Sequence, residues 1–351
     1  MKNSEKNNLP FVSVVIACRN EENFIGRCLD SINANDYPKD KLEVLVIDGM
    51  SDDGTRKVVQ EYNEKFPFIK LLDNPEKVTP VAMNIGIKGA GGGVIILVNA
   101  HCVVDSNFLK YSIECLLETG ADAVGGTLNT INDDTSLVAQ AIPLAADSML
   151  GAGGNRYRTR TDEGWVRDTL PYCAYRREIF DKIGLIDEDL VRGQDAEFNY
   201  RILRSGGRIY YAPKIKSYLH IRPTLKKLWR QHFQYGWFKP LITKKTGFVL
   251  TCRQSIPAIF VSSLVCSLVA MLFFKPFLWV FLIVAGSYAL ANLVFSLKIS
   301  FSNGLKCFFV LPLVFVTLHF SYGIGYLTGI WDLIIVKKDK KRGIKDIPLT
   351  R

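Results

Sequence analysis

The feature that most limits the possible folds of this chain is a series of long apolar stretches near its C-terminus. They cover residues 256–274, 277–297 and 307–336, and the first two contain no charged residue. A transmembrane helix needs about 20 consecutive, mainly apolar residues. The sequence therefore predicts a transmembrane helical module over residues 256–336, followed by a basic tail over residues 337–351.

The third apolar stretch does not fit a simple span. It is interrupted by Pro312, His319 and the glycines Gly323, Gly325 and Gly329. Three simple spans would also place the basic tail across the membrane from the N-terminal part, against the positive-inside tendency. The alternatives are a bent span with an interfacial segment and a tight hairpin. We favour the hairpin, because it returns the C-terminus to the side of the N-terminal part.

The first two hundred residues have the pattern of an α/β domain. Apolar runs rich in β-branched residues at 11–17, 42–47 and 94–98 are typical of buried parallel strands. Segments with helical spacing lie between them, and this alternation predicts βαβ units and a mostly parallel sheet. Ligands of such sheets bind at the carboxyl ends of the strands. Residues 151–168 lack periodicity, and we expect them to form a mobile loop.

Charge is distributed unevenly along the chain, which carries a net +10. Residues 198–255 contain 13 Lys and Arg and no Asp or Glu, and residues 214–255 form a basic juxtamembrane part. An anionic membrane surface is the expected partner of this part, and no motif supports nucleic-acid binding. The N-terminus has no apolar signal segment. We therefore expect a multi-pass protein of the cytoplasmic membrane with its N-terminal domain in the cytosol.

Polar motifs follow three of the predicted strands. They are A-C-R-N-E-E at residues 17–22, D-G-M-S-D-D-G-T at 48–55 and N-A-H at 99–101. No G-x-G-x-x-G motif follows any strand and no P-loop motif is present, which argues against dinucleotide and P-loop sites. Carboxylates at strand ends can instead accept hydrogen bonds from a base or a ribose.

Together with later motifs, these segments resemble family-2 glycosyltransferases of the GT-A fold. The later motifs are Asp168-Thr169, the run A-Y-R-R-E-I-F-D-K-I-G-L-I-D-E and the run G-Q-D-A-E-F-N-Y-R-I-L-R-S-G-G. The resemblance covers roughly residues 11–240 and implies a GT-A catalytic domain over residues 1–240. The segment R-Q-H-F-Q-Y-G-W-F-K and the apolar tail resemble succinoglycan-type exopolysaccharide glycosyltransferases.

The resemblance implies a nucleotide-binding pocket at the strand ends. Glu21 and Asp48 match the family's positions for uridine recognition, with Asp48 facing the base. The remaining members of the pocket would be Ala17, Arg19, Ser51, Asp53 and Asn99. From the residues alone, D-G-M-S-D-D-G-T could equally be a turn and helix cap, because Ser, Asp and Gly are common in turns.

The N-A-H segment stands where the family usually carries D-x-D, the motif that binds a divalent cation. Such a cation neutralises the diphosphate as it leaves. His101 can ligate Mn²⁺ more readily than Mg²⁺, and Asn99 can bind the ribose or a metal-bound water. We expect Mn²⁺ or Mg²⁺ as cofactor, with His101 as a ligand. The alternative, a histidine satisfied by local hydrogen bonds, stays open.

The resemblance places the catalytic base at Asp195. An inverting transfer needs one base to deprotonate the acceptor hydroxyl, and no covalent intermediate. Glu197 is the alternative base, and Asp195 could also be a helix cap. Gln194, Glu197 and Arg176 are candidates for contacts with the donor or acceptor sugar.

An aromatic segment precedes the apolar tail, where processive relatives carry Q-x-x-R-W, a pattern this chain lacks. Its residues Gln231, Tyr235 and Trp237 could stack on acceptor sugars, or they could form an aromatic belt at the membrane interface. Both interpretations fit the sequence equally well.

The sequence thus predicts an inverting glycosyltransferase that moves a sugar from a nucleotide-diphosphate donor, UDP-linked, to a hydroxyl acceptor. The acceptor would be a lipid-linked or growing polysaccharide of exopolysaccharide or cell-envelope synthesis. One alternative is a polyprenyl-phosphate sugar synthase. Others are a non-catalytic nucleotide-sugar-binding subunit and a basic module that only binds the membrane surface.

Overall fold

The structure, a computed structural model, describes residues 9–131, 134–152, 157, 161–167, 169–220, 224–247 and 252–336. The chain divides into two compact units. The first comprises Met1–Asn129 and Arg160–His220, and the second Thr130–Thr159 and Ile221–Arg351. The predicted basic tail and Asp168 lie outside the described residues, and the catalytic-domain boundary near residue 240 stays a prediction.

The described residues of the first unit are built around a nine-stranded sheet. Its strands are β1 (Val12–Cys18), β2 (Leu42–Asp48), β3 (Ile69–Asp73), β4 (Val94–Asn99), β5 (Cys102–Val104), β6 (Ala123–Ile131), β7 (Gly164–Val166), β8 (Ala174–Arg176) and β9 (Ile209–His220). Their order is β3-β2-β1-β4-β8-β6-β9-β5, with β7 paired to β9. Strands β1 to β4 pair in parallel, whereas β8 pairs antiparallel with β4 and β6.

Helices follow the strands as the alternating pattern predicts. In chain order they are α1 (Ile25–Asn33), α2 (Thr55–Lys65), α3 (Thr79–Gly89), α4 (Phe108–Thr119), α5 (Leu137–Ala146), α6 (Met149–Ala152), α7 (Arg177–Ile183), α8 (Gln194–Arg204), α9 (Leu225–Thr246), α10 (Ile256–Ala270), α11 (Phe277–Asn303) and α12 (Leu311–Ile330). Helices α1 and α4 bury apolar residues against the sheet. Strands β1 and β2 read as continuous apolar runs because both faces of the sheet are covered.

The amino end of the sheet is held by a buried carboxylate. Glu43 accepts hydrogen bonds from the Ser13 hydroxyl at 2.7 Å, the Gly91 N–H at 2.6 Å and Lys70 Nζ at 3.2 Å. Burial acts to raise the pKa of Glu43, but the hydrogen bonds from Ser13, Gly91 and Lys70 outweigh it and hold the pKa below its usual range. Stability from Glu43 is therefore present above the unfolded-state pKa of about 4.3. It is lost as the pH falls through the lower folded-state pKa.

Replacing Glu43 by Gln should lower the free energy of unfolding at pH 7 by about 1.5–3 kcal/mol, the range for hydrogen bonds to a charged group. Thermal unfolding of the detergent-purified protein at a series of pH values measures the effect. The difference from wild type should shrink as the pH approaches 3. The exposed Glu64 serves as a control, because Glu64→Gln removes a carboxylate without buried hydrogen bonds. A constant difference at all pH values would contradict the linkage.

Among its described residues, the second unit contains three helices that are long and apolar enough to cross a membrane, at Arg253–Ala270, Phe277–Asn303 and Leu311–Leu333. This confirms the predicted apolar helices. The predicted hairpin in the third stretch is wrong, because α12 is uninterrupted and continues into a π-helical turn at Trp331–Ile335. Pro312 lies in the first turn of α12, where a missing N–H is tolerated.

The glycines of α12 are contact positions rather than breaks. A Cβ at Gly325 would lie 2.1 Å from the Phe233 carbonyl oxygen, and one at Gly329 would lie 2.5 Å from that of Trp237. On α9, a Cβ at Gly236 would lie 2.1 Å from the Tyr322 carbonyl oxygen. Glycine therefore lets the backbones of α9 and α12 approach closely, as small residues do between membrane helices.

The expected loop over residues 151–168 is wrong in part. Residues 164–166 form β7, whose Trp165 pairs with Tyr210 of β9 in an antiparallel register. Residues 153–156 and 158–160 of this segment lie outside the described residues. Three residues of strand are too short to produce a recognisable alternation in sequence, which explains the error.

Candidate active site

The polar strand ends meet at one edge of the sheet. In the parallel register, Cys18 lies beside Asp48, and Ala17 lies beside Asn99. The three motifs that follow β1, β2 and β4 are therefore neighbours, as the pattern of strands and helices predicts. The nucleotide roles of the individual residues stay predictions.

Side chains join the loops after β1 and β2. The Ser51 hydroxyl accepts from the Asn20 N–H at 2.9 Å, and Asn20 Nδ2 donates to Asp52 at 2.6 Å. Asn20 and Met50 both have positive φ, of 53° and 54°. Backbone strain of this kind persists only where the surroundings hold it, and it clusters at ligand sites. The edge is thus preformed as a rigid, strained pair of loops.

Asp48 is fully buried and already hydrogen-bonded. It accepts from the Ser51 N–H at 2.9 Å, from the Ser51 hydroxyl and from Arg56 Nη1 at 2.7 Å. The other end of the Arg56 guanidinium lies 2.8 Å from Asp73. Arg56, 31% exposed, therefore covers the carboxylate that was expected to face the base. No motif marked Arg56 as a site residue, although it directly follows D-G-M-S-D-D-G-T.

Arg19 and Asp53 flank this pocket in different ways. The Arg19 side chain packs against Gly49, and its Nε is buried without a hydrogen-bond partner among the described residues. Asp53 accepts from the N–H and hydroxyl of Thr55 at the start of α2. Burial acts to raise the pKa of Asp53, but the hydrogen bonds from Thr55 outweigh it and lower the pKa. Asp53 therefore stabilises the start of α2. The Arg19 Nε–H, in contrast, donates to no residue that the structure describes.

His101 and Asn99 both contact other polar residues of the first unit. His101 Nδ1 lies 3.1 Å from Glu21 Oε1, and Asn99 Nδ2 donates to the Tyr172 hydroxyl at 3.1 Å. The His101 carbonyl accepts from the N–H of His220 at 3.2 Å. His220, the last residue of β9, was missed because no motif marked it and its strand pairs through tertiary contacts.

Two carboxylates in the first turn of α8 have opposite surroundings. Asp195 is exposed, whereas Glu197 is buried and paired with Arg201 at 2.6 Å. Arg201 also donates to the Ile183 and Leu185 carbonyls. Glu197 therefore fixes the chain that precedes α8. Asp195 lies at the positive end of the helix dipole, where a carboxylate is favoured, and Gln194 is its half-exposed neighbour.

Burial raises the pKa of the Cys173 thiol to about 12, and the negative charge of Asp195 adds to this shift. The Asp195 carboxylate consequently lies close to the segment that leads into β8.

Four candidates lie away from this edge or outside the first unit. Arg176 pairs with Val94 at the opposite end of β4 from Asn99, and its guanidinium donates to the Ala121 and Leu116 carbonyls at 2.9 Å each. In the second unit, Gln231 donates to the Tyr235 hydroxyl at 3.1 Å. Also in the second unit, Trp237 is buried, and its indole donates to Asp332 at 3.1 Å.

A cation at this edge would need ligands from a bound donor. The described residues contain no group of three or more His, Cys, Asp and Glu that could hold a metal ion. His101 offers one nitrogen, because Nε2 makes no hydrogen bond to a residue that the structure describes. Diphosphate oxygens could supply further ligands, so the residues fit a cation that arrives with a nucleotide diphosphate.

Comparisons with known proteins agree with this geometry. A model of "Glycosyl transferase family 2" matches residues 13–184. One relative is the dolichyl N-acetyl-alpha-D-glucosaminyl phosphate 3-beta-D-2,3-diacetamido-2,3-dideoxy-beta-D-glucuronosyltransferase of Methanococcus voltae. The two sequences are 32% identical over 246 aligned residues, which make up 68% of this chain and 75% of the relative. This chain is also 30% identical to the succinoglycan biosynthesis protein ExoA of Rhizobium meliloti, with coverage of 70% and 73%.

A solved structure extends the likeness to the fold. The mannosyltransferase PcManGT of Pyrobaculum calidifontis, in complex with GDP-Man and Mn²⁺, is similar with a TM-score of 0.58 and 20% identity. The likeness covers 93% of this chain and 89% of the other. Together with the parallel sheet and the strand-end site, it confirms the predicted GT-A fold.

Proposed function

The chain belongs to glycosyl transferase family 2, and we propose that it transfers a sugar from a UDP-linked donor to a hydroxyl of a lipid-linked saccharide, with inversion. The observation that carries this proposal is that the first unit contains both a polar strand-end edge and an exposed carboxylate, Asp195 on α8. The edge suits the nucleotide diphosphate, and the carboxylate suits the base that an inverting transfer needs.

We assign the base to Asp195 rather than Glu197. A base must reach the acceptor hydroxyl, and Asp195 is exposed. Glu197 is buried and held by Arg201, so it is not available to take a proton. Asp195 would accept the hydroxyl proton as the oxygen attacks the anomeric carbon, and the nucleoside diphosphate would leave from the opposite face.

Donor binding is assigned to residues of the first unit. Asp48, with Arg56 over it, would recognise the base, and Arg19 would approach the diphosphate with its unused donor. A bound Mn²⁺ or Mg²⁺ would neutralise charge on the leaving diphosphate. His101 would hold this ion through Nε2. The PcManGT complex contains a nucleotide sugar together with Mn²⁺, which supports a divalent cation that accompanies the donor.

The acceptor assignment is supported by the membrane helices and by the names of the relatives. The Methanococcus voltae relative is named for a dolichyl-phosphate-linked sugar, and the Rhizobium meliloti relative for succinoglycan biosynthesis. Three apolar helices would keep the enzyme at the membrane where such an acceptor resides, which raises its effective concentration. We propose a multi-pass protein with its first unit in the cytosol, its basic segment at anionic lipids, and a role in exopolysaccharide or cell-envelope glycan synthesis.

Nucleotide release by the detergent-purified protein tests the proposal. UDP- and GDP-sugars are supplied with Mn²⁺, Mg²⁺ or EDTA, with and without lipid-linked saccharide acceptors, and the glycolipid product is examined for linkage. Acceptor-dependent release from a UDP-sugar supports the proposal. Transfer to a bare polyprenyl phosphate instead would indicate a polyprenyl-phosphate sugar synthase. Donor binding without release under every condition would overturn the proposed transfer.

We expect EDTA to abolish transfer and Mn²⁺ to restore it. In His101→Ala, the Mn²⁺ concentration for half-maximal activity should rise by at least about tenfold, because even residues that only orient a metal ligand change metal affinity by 10–100-fold. His232→Ala, a histidine of α9 in the second unit, is the control and should leave the Mn²⁺ requirement unchanged. An unaltered Mn²⁺ requirement in His101→Ala would remove His101 from the metal site.

A further inference from the structure

We propose that Glu21 is a positioning residue that holds the His101 imidazole with Nε2 directed toward a divalent cation. This inference deepens the proposed function, because it rests on a cation that accompanies the donor. It also gives Glu21 a role different from the uridine contact that the family resemblance implies.

The tautomer of His101 follows from its contact with Glu21. An ionised carboxylate accepts hydrogen bonds but cannot donate one. Nδ1 of His101, 3.1 Å from Glu21 Oε1, must therefore carry the proton. In a neutral imidazole the lone pair then lies on Nε2. Metal-binding histidines are commonly held in this way, with the other ring nitrogen donating to a carboxylate.

Both residues of this pair are fixed through their backbones. The Glu21 N–H donates to the Thr55 hydroxyl at 2.8 Å. Its carbonyl accepts from the N–H groups of Phe24 and Ile25 at 2.9 Å each. The His101 carbonyl accepts from the His220 N–H. The loop after β1 and the turn after β4 thus hold the carboxylate and the ring through backbone hydrogen bonds.

The pair is also accessible to a ligand. The Glu21 and His101 side chains are 23% and 32% exposed. Nε2 of His101 makes no hydrogen bond to a residue that the structure describes, so it is open to a ligand. A partly exposed imidazole at the end of β4 therefore suits an ion that enters with the donor.

The next residue, Glu22, provides a matched control. Its Oε2 accepts from the Gly54 N–H, so it contacts the loop after β2 rather than His101. Removing either carboxylate changes the charge of the site equally. Only the removal of Glu21 should affect how His101 binds the ion.

The experiment measures Mn²⁺ binding by electron paramagnetic resonance on the full-length, detergent-purified protein with saturating UDP. Glu21→Ala should weaken Mn²⁺ binding by about 10–100-fold. Glu21→Gln should lose less, because its amide oxygen still accepts from Nδ1. Glu22→Ala should match wild type. UDP affinity in EDTA, measured by calorimetry, should be unchanged in both Glu21 variants.

A double-mutant cycle with His101→Ala decides between the possible roles. If Glu21 acts through His101, Glu21→Ala should cause no further loss of Mn²⁺ affinity in the His101→Ala background. A further loss would overturn the inference and make Glu21 a direct ligand. Reduced UDP affinity in EDTA would overturn it in favour of the uridine contact.

Failure of the inference and failure of the proposed function can be distinguished. If wild type binds Mn²⁺ with UDP and Glu21→Ala does so equally well, only the positioning role is wrong. If wild type transfers sugar in EDTA and binds no Mn²⁺, the metal-dependent step and the positioning role are both wrong. Only the proposed sugar transfer itself would then remain.

Discussion

Asp195→Asn is expected to lower kcat for sugar transfer by about 10²- to 10⁴-fold, the usual contribution of a general base. The affinity for the nucleotide donor should be unchanged, because Asp195 lies on α8 and not in the loops after β1 and β2. Steady-state transfer to a lipid-linked saccharide measures kcat, and calorimetry with UDP measures donor affinity. Loss of both together would indicate a damaged fold rather than a missing base.

The pH dependence of kcat sharpens this test. Wild type should lose activity on the acid side as the base becomes protonated, and this acid limb should be absent from the residual activity of Asp195→Asn. Asp189→Asn removes an exposed carboxylate from the segment that precedes α8 and should retain both kcat and the limb. An acid limb that persists in Asp195→Asn would transfer the role of base to another residue.

The same variant separates two classes of acceptor. A hydroxyl must lose its proton as it attacks, whereas a lipid phosphate is already anionic and has little need of a base. If Asp195→Asn lowers kcat by less than about tenfold, the result would favour a polyprenyl-phosphate acceptor over a hydroxyl acceptor. The size of the effect therefore reports on the chemistry of the acceptor.

The edge at which the site lies could be predicted from sequence because parallel strands all end on the same side. The motifs after β1, β2 and β4 had to be neighbours once those runs were identified as strands. Arg176 shows the limit of this reasoning. It ends a strand too, but β8 runs antiparallel to β4, so its end lies at the opposite edge. Strand direction depends on tertiary pairing that a single sequence does not reveal.

Side-chain pairing at the site was less predictable than its location. Asp48 pairs with Arg56, and Glu21 contacts His101 rather than the Asp48 pocket. Glu21 and His101 come from loops after different strands, so no local spacing marks their contact. Arg56 lies only eight residues after Asp48, but no motif indicates that its side chain turns back to the carboxylate. The residue types at the edge follow from the sequence, whereas their hydrogen-bond partners follow from the fold.

The glycines of α12 show a second limit. In sequence, Gly323, Gly325 and Gly329 read as breaks, because glycine destabilises a helix interior. In the structure they are positions where another backbone approaches, as the 2.5 Å from a Cβ at Gly323 to the Pro257 carbonyl oxygen shows. Sequence periodicity alone does not distinguish a glycine that breaks a helix from one that another helix packs against.

Gly325→Leu is expected to destabilise the second unit by about 3 kcal/mol or more, at the upper end of overpacking effects. A Cβ at Gly325 would lie 2.1 Å from the Phe233 carbonyl oxygen, and backbone of another helix cannot turn aside as a side chain can. Thermal unfolding of the detergent-purified protein measures the loss. Gly286→Leu is the matched control on α11, because a Cβ there meets nothing within 4 Å.

Gly325→Ala, the milder variant, connects this packing to function. Forcing α9 and α12 apart would displace the α9 segment that carries Gln231 and Tyr235 without altering the donor residues, all of which belong to the first unit. We expect slower transfer to a lipid-linked acceptor with UDP affinity unchanged. Equal losses of acceptor transfer and UDP affinity would mean that the substitution damages the fold as a whole. No loss of transfer, in a variant shown to be less stable, would leave Gln231 and Tyr235 without a part in acceptor binding.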